Sequence, residues 1–273
     1  MRVILCDTSE QLCSLWLKSV PQLLLKTNKI QVHTGTFELL TNQLFKETNS
    51  ELRQNLDRNS SPCYQQRYAV VSPGNSFGFL GGGFDLALYR YFGEKQFESW
   101  FRDQLNKQYK PVGSVTLIDT NDYNKNNIPN RIRYILHIPT MVAPSHPIFS
   151  DSEPLKTGYE PIFNATWNAL SNIPANVDTL ILPGICTGYA GVPGEICSKS
   201  MIFALSLKFL SNQLHRDLQN LLIQFYLGYR YDIFFFDRYK DELAKLGIEE
   251  RTLRSYDATL DPISSILPMT LLE

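Results

Sequence analysis

Cysteine is scarce in this chain of 273 residues and arranged for nothing in particular: there are five, an odd number, with no C-x-x-C pair. That excludes both a disulfide framework and a zinc site built on paired thiolates, and no metal or cofactor is expected. An excess of charge of either sign is also missing, since 26 basic residues stand against 27 acidic ones for a net charge of −1. The chain therefore has no broad electrostatic footprint for nucleic acid polymer, while a small charged ligand remains open. Long hydrophobic runs are absent too. The greasiest stretch, Leu221 to Phe236, is interrupted by Gln224, Arg230 and Asp232 and falls short of the roughly 18 residues of a membrane helix. At the N-terminus, Met1 to Cys6 meets Asp7 too early for a signal-peptide core. A soluble intracellular protein, cytoplasmic or nuclear, with reduced thiols is the resulting expectation.

What is present is 43% apolar residue content in a pattern of short strands and helices. Met1 to Cys6, Lys29 to His33, Tyr68 to Val71, Ser114 to Ile118, Arg133 to Ile138, Thr179 to Leu182 and Leu221 to Phe225 read as strands. Between them, Thr8-Ser9-Glu10-Gln11 reads as a capping box opening a helix, and Phe37, Leu40 and Leu44 keep helical spacing. Further helices are expected after Phe84, over Tyr159 to Leu170, after Pro193 with Ile196, Phe203, Leu207, Leu210 and Leu214 mainly on one face, and over Tyr231 to Leu246. Glu47 to Gln66 and Asn121 to Asn130 are polar and read as loops. Such alternation argues for an α/β layered fold around a largely parallel sheet. No linker or repeat divides it, so residues 1–250 read as one domain and 251–273 as an extension packed on it or partly flexible.

The chemistry concentrates in Ser72-Pro73-Gly74-Asn75-Ser76-Phe77-Gly78-Phe79-Leu80-Gly81-Gly82-Gly83-Phe84-Asp85, a glycine-rich loop between a buried strand and a helix. Three consecutive glycines uncover backbone N–H groups at a helix N-terminus, where an anion is stabilised. It is not a P-loop, because Phe84-Asp85 stands where Gly-Lys-Ser/Thr would be needed. It is not a dinucleotide fingerprint, because Leu86 stands at the third glycine. Gly74-Asn75-Ser76-Phe77-Gly78 does match the G-x-S-x-G nucleophile elbow, which would make Ser76 the nucleophile of a serine hydrolase. Against that, Ser76 is followed by Phe-Gly-Phe-Leu-Gly-Gly-Gly, where the elbow needs a helix to start at once.

A second loop has the same layout: Leu180-Ile181-Leu182 leads into Pro183-Gly184-Ile185-Cys186-Thr187-Gly188-Tyr189-Ala190-Gly191-Val192-Pro193. Two anion-binding loops at the carboxyl ends of neighbouring strands suggest one ligand held between them. Cys186 could act as a nucleophile only with a base such as His137, His146 or His215 beside it, and otherwise reads as a small residue permitting close approach.

With these two segments the chain resembles the macro domain family, whose members bind ADP-ribose and its derivatives. Asn75, Gly81 to Gly83 and Asp85 stand in the family's order and spacing, Arg90 and Gly93 also fit, and Pro183, Thr187, Gly188, Gly191 and Pro193 match its second motif. The resemblance implies a three-layer α/β/α fold with a mixed, largely parallel central sheet. It also implies a diphosphate held by the N–H groups of Gly81, Gly82, Gly83 and Phe84 and of Thr187, Gly188 and Tyr189. By the same resemblance Asn75 contacts the outer ribose, and Asp85 activates water at the 1'' position. The most plausible reaction is then hydrolysis of ADP-ribose 1''-phosphate or of a 1''-ester, with a non-catalytic ADP-ribose-binding module as the alternative and the serine hydrolase as a third.

Some positions depart from the family. Thr36, after Gly35, stands where the family has an acidic residue for the adenine amino group, with Glu38 two residues on. The family's aromatic falls at Ala190, with Tyr189 one place earlier, and Tyr226 or Tyr229 stands where an aromatic stacks on adenine. Gly74 replaces a usual alanine, which reads as a small change.

Overall fold

Alternation of side chains across a pleated sheet decides the architecture here. In the computed structural model, which describes residues 1–56, 66–123, 131–231, 237–268 and 271–272, six strands form one sheet. They are β1 (Arg2–Asp7), β2 (Ile30–Thr34), β3 (Tyr68–Ser72), β4 (Thr116–Asp119), β5 (Ile132–His137) and β6 (Thr179–Leu182). Their spatial order is β2-β1-β6-β3-β5-β4. Every pairing is parallel except that of β4 with β5, which is antiparallel.

Both faces of the sheet are covered. Val3, Leu5, Ala69, Val71, Leu136, Leu180 and Leu182 point into one core, and Ile4, Cys6, Tyr68, Val70, Ile135 and Ile181 into the other. Strands buried on both sides are continuous apolar runs for this reason. The first core is closed by α1 (Glu10–Ser19), α6 (Glu160–Asn172), α7 (Gly194–Phe209) and α8 (Arg216–Tyr226). The second is closed by α3 (Phe37–Leu56), α4 (Gly83–Phe92) and α5 (Glu94–Gln104). The result is the expected three-layer α/β/α fold. α2 (Gln22–Lys26), α9 (Arg238–Lys245) and α10 (Glu250–Ser255) complete the described helices. Beyond residue 250, Leu253, Tyr256, Ile266, Leu267 and Leu272 are buried in the first core. None of the described helices is long and apolar enough to cross a membrane.

Several local expectations are corrected. Leu221 to Phe225 is not a strand but part of α8, where Leu218, Leu221, Leu222 and Phe225 bury one helical face at i, i+3, i+4 and i+7. Residues 47–56 continue α3 and are not a loop, while 57–65 and 124–130 lie outside the described residues. The last long helix, expected over Tyr231 to Leu246, is the shorter α9, with 232–236 outside the described residues. α7 is buried from Cys197 to Leu207 except for the half-buried Lys199, because it packs between α1 and α6 within the first core. The cap of α1 is Ser9, one residue past the start of the expected box, and its hydroxyl accepts from the Leu12 N–H at 3.2 Å.

Candidate functional site

The carboxyl ends of β1, β6, β3 and β5 open into a cleft of about 1300 Å³, lined by the glycine-rich loop, the second loop and the start of α3. This is where ligands settle in open α/β sheets. Phe79 is the outer brace of the glycine loop: the Arg102 guanidinium lies 3.8 Å from its ring centroid. Arg102 Nε also donates to the Phe77 carbonyl at 3.3 Å, and Glu98 accepts from the Leu80 N–H at 2.8 Å. α5 therefore fixes the loop from behind.

The backbone donors that the two loops leave free follow from helix chemistry. α4 begins at Gly83, whose φ of 54° lies in the left-handed region, and Gly82 is its N-cap with no side chain to accept the orphan donors. Among the described residues, the N–H groups of Gly81, Gly82, Gly83 and Phe84 and of Thr187, Gly188 and Tyr189 make no hydrogen bond. The two loops approach each other at Tyr189, since a Cβ on Gly82 would stand 3.1 Å from its Cε2. Tyr189 is 65% exposed, whereas Ala190 is fully buried and its carbonyl accepts from the Ile148 N–H. Of the two positions, Tyr189 is the one whose side chain reaches solvent at the cleft. Cys186 also lines the cleft. It carries a left-handed φ of 63°, and burial pushes its thiol up to about 12, which rules it out as a thiolate nucleophile.

Asp85, in the first turn of α4, is buried beneath Gly74. Ser72 Oγ donates to its Oδ1 at 2.8 Å, and the same hydroxyl lies 3.1 Å from His137 Nδ1. Among the described residues, Asp85 Oδ2 and His137 Nε2 have no hydrogen-bond partner. Burial pushes the Asp85 carboxyl up to about 7 against the lowering effect of Ser72, and burial lowers His137 to about 4. A carboxyl poised near neutrality can take or give a proton at working pH, as general acid–base chemistry requires. Glycine at 74 is no small change: a Cβ there would stand 2.2 Å from Asp85 Oδ2 and 3.1 Å from His137 Cε1.

Asn75 lines the cleft but spends its amide on the loop. Its Nδ2 donates to the Phe79 carbonyl at 2.7 Å, and its Oδ1 accepts from the N–H groups of Phe77 and Phe79 at 3.1 and 3.3 Å. The serine-hydrolase alternative fails on geometry. Ser76 is fully buried, its Oγ donates to the Met141 carbonyl at 3.3 Å, and no helix follows it until Gly83.

At the far end of the cleft, Thr36 caps α3 by accepting from the Leu39 N–H at 3.2 Å. One strand over, at the end of β1, Asp7 also lines the cleft. Its Oδ1 accepts from the Ser9 N–H at 2.8 Å, and its Oδ2 faces Gly184, where a Cβ would stand 2.8 Å away. Tyr226 is not at the site. It lies inside α8, fully buried, stacked on Phe203 with centroids 4.0 Å apart and donating to Ser200 Oγ at 2.9 Å. The position follows no strand because the run before it is helical. Tyr229 is half exposed, bonds to Glu160 at 3.0 Å and does not line the cleft. Motif reasoning does not single out Asp7 or Ser72. Each is the polar residue that ends a strand directly after an apolar run, and that is the signal that could have found them.

Comparison with known proteins bears on the whole chain. A family model described as macro-like domain matches residues 1–273. An uncharacterized protein of Aquifex aeolicus is 29% identical over 134 residues, covering 49% of this chain and 69% of that one. Among solved structures, the macrodomain of Mycobacterium tuberculosis DarG is 15% identical with a TM-score of 0.40, covering 55% of this chain and 89% of its own. A macrodomain variant from Oceanobacillus iheyensis is 22% identical with a TM-score of 0.37, covering 52% and 71%.

Proposed function

The chain belongs to the macro-like domain family, whose members bind ADP-ribose, and from that premise we propose that its cleft binds ADP-ribose and hydrolyses a group at the 1'' position of the outer ribose. The diphosphate lies across the unpaired N–H groups of Gly81 to Phe84 and of Thr187 to Tyr189, fixed dipoles that need no basic patch. Tyr189 covers it from the second loop. At the adenine end the acceptor for the exocyclic amine is Asp7, with the Thr36 hydroxyl beside it. At the ribose end, Asp85 takes a proton from the attacking water, and ADP-ribose 1''-phosphate is converted to ADP-ribose and inorganic phosphate.

The observation that carries the hydrolytic part is the buried Asp85 carboxyl, pushed up to about 7 at the edge of the cradle. Calorimetric titration with ADP-ribose, followed by turnover of ADP-ribose 1''-phosphate by the wild-type protein and Asp85→Ala, tests it. Saturable binding with turnover lost in the variant is expected; full turnover by Asp85→Ala would sink the catalytic role. One observation favours the second reading, a non-catalytic binding module: the Asn75 amide is already committed to Phe77 and Phe79. That reading yields binding with no product from either protein.

A further inference from the structure

We propose that Ser72 and His137 are positioning residues for Asp85, the three side chains forming one hydrogen-bond chain whose direction reverses when Asp85 takes up a proton. Only the catalytic consequence rests on the hydrolytic reading above; the chain itself rests on geometry. Ser72 ends β3 and His137 ends β5, and the two are directly paired in the parallel ladder. That pairing places one hydroxyl between two titratable groups, 2.8 Å from Asp85 Oδ1 and 3.1 Å from His137 Nδ1.

A hydroxyl has a single proton and can donate to one neighbour at a time. With Asp85 ionised, Ser72 donates to Oδ1 and must accept from Nδ1–H, so the neutral ring carries its proton on Nδ1. With Oδ1 protonated, the carboxyl donates to Ser72 Oγ and the hydroxyl turns to donate to Nδ1. The ring's proton then sits on Nε2. The two states differ by one proton: the ring gains it at Nε2, the Nδ1 proton passes to Oγ, and the Oγ proton passes to Oδ1. No charge remains on Ser72 or His137 at the end.

Oδ1 of the buried carboxyl is thereby partnered in both protonation states, which matters because an unpaired polar group in an apolar site is costly. A side-chain amide could not exchange donor for acceptor at one atom, whereas a neutral imidazole does so by changing tautomer. The surroundings keep His137 neutral: it is buried, the Phe101 ring meets it edge-on at 5.3 Å, and Lys110 is the charged group that disfavours imidazolium there. Gly74 leaves the space in which the carboxyl and the ring meet.

Nitrogen-15 NMR of His137 in the full chain, titrated from about pH 5 to 9 alongside the carboxyl carbon of Asp85, reads the chain directly. The expected result is the Nε2–H tautomer at the low end and the Nδ1–H tautomer at the high end, with one midpoint shared by both nuclei. Asp85→Ala is expected to abolish the switch. A single tautomer throughout in the wild-type protein overturns the proposal, whatever the activity. For catalysis, Ser72→Ala removes the donor to the ionised carboxyl. The Asp85 limb of the kcat profile should then move up by about one pH unit and kcat fall about tenfold, with ADP-ribose affinity unchanged within about twofold. Ser72→Thr should restore both. An unshifted profile in Ser72→Ala overturns the positioning role. Absence of turnover in the wild-type protein fails the hydrolytic reading instead, and leaves the NMR result to decide on the chain.

Discussion

Asp85 fills the space that a side chain on Gly74 would need: a single methyl group on residue 74 would stand 2.2 Å from Asp85 Oδ2. The alanine usual in the family at this position would displace the carboxyl from its pocket. Gly74→Ala is therefore expected to lower stability by about 1–3 kcal/mol, the range for forcing extra volume into a packed site. In an Asp85→Ala background the same change should cost less, since the clashing oxygen is gone and only the 3.1 Å approach to His137 Cε1 remains. Denaturant unfolding of the four proteins of this cycle checks the coupling. Additive effects would show that Asp85 does not sit where the geometry puts it.

Burial of that carboxyl has a signed consequence for stability. Asp85 ionises near 3.8 in a solvated chain and at about 7 in the folded one. Between those values the folded state holds a proton that the unfolded state releases, so this contribution is full below about pH 4 and is lost as pH rises towards 7. His137, lowered from 6.5 to about 4, acts on the acid side and in the opposite sense. Asp85→Asn keeps the shape and removes only the first titration. The stability of the variant relative to wild type should rise by roughly 2 kcal/mol from pH 5 to pH 8, measured by urea unfolding at each pH. A pH-independent difference would place the carboxyl in water.

The architecture and both strand-to-helix loops of the cleft were legible because they rest on local rules: apolar runs for strands buried on two faces, and glycines before a helix for uncovered backbone donors. What could not be read depends on where the chain returns. Ser72, Asp85 and His137 meet through strand pairing across 65 residues, and no spacing rule predicts that contact. The commitment of the Asn75 amide to Phe77 and Phe79 follows from the loop's own turn, which a family motif does not encode. The strand reading of Leu221 to Phe225 is a different failure, since Leu218, Leu221, Leu222 and Phe225 already carried the helical period.

The two residues proposed for the adenine end are separable by experiment. Thr36 uses its hydroxyl to cap α3, so Thr36→Ala should cost about 1 kcal/mol of stability while changing ADP-ribose affinity by less than about threefold. Asp7→Asn removes a charged acceptor without changing shape and should weaken ADP-ribose binding by about tenfold or more. Ribose 5-phosphate, which lacks the base, should bind the Asp7 variant and wild type alike. Equal loss for both ligands would assign Asp7 a structural part, through the Ser9 N–H, rather than a base contact.

Tyr226 provides the control away from the cleft. Its hydroxyl donates to Ser200 within a buried environment, and its ring is stacked on Phe203. Tyr226→Phe keeps the stacking and leaves the Ser200 hydroxyl without this partner, which should cost about 1–2 kcal/mol in unfolding free energy. Because the residue does not line the cleft, ADP-ribose affinity should stay within about twofold of wild type. Calorimetry and thermal unfolding of the same preparation separate the two effects. A loss of affinity without a loss of stability would return Tyr226 to the adenine site and contradict the placement of α8.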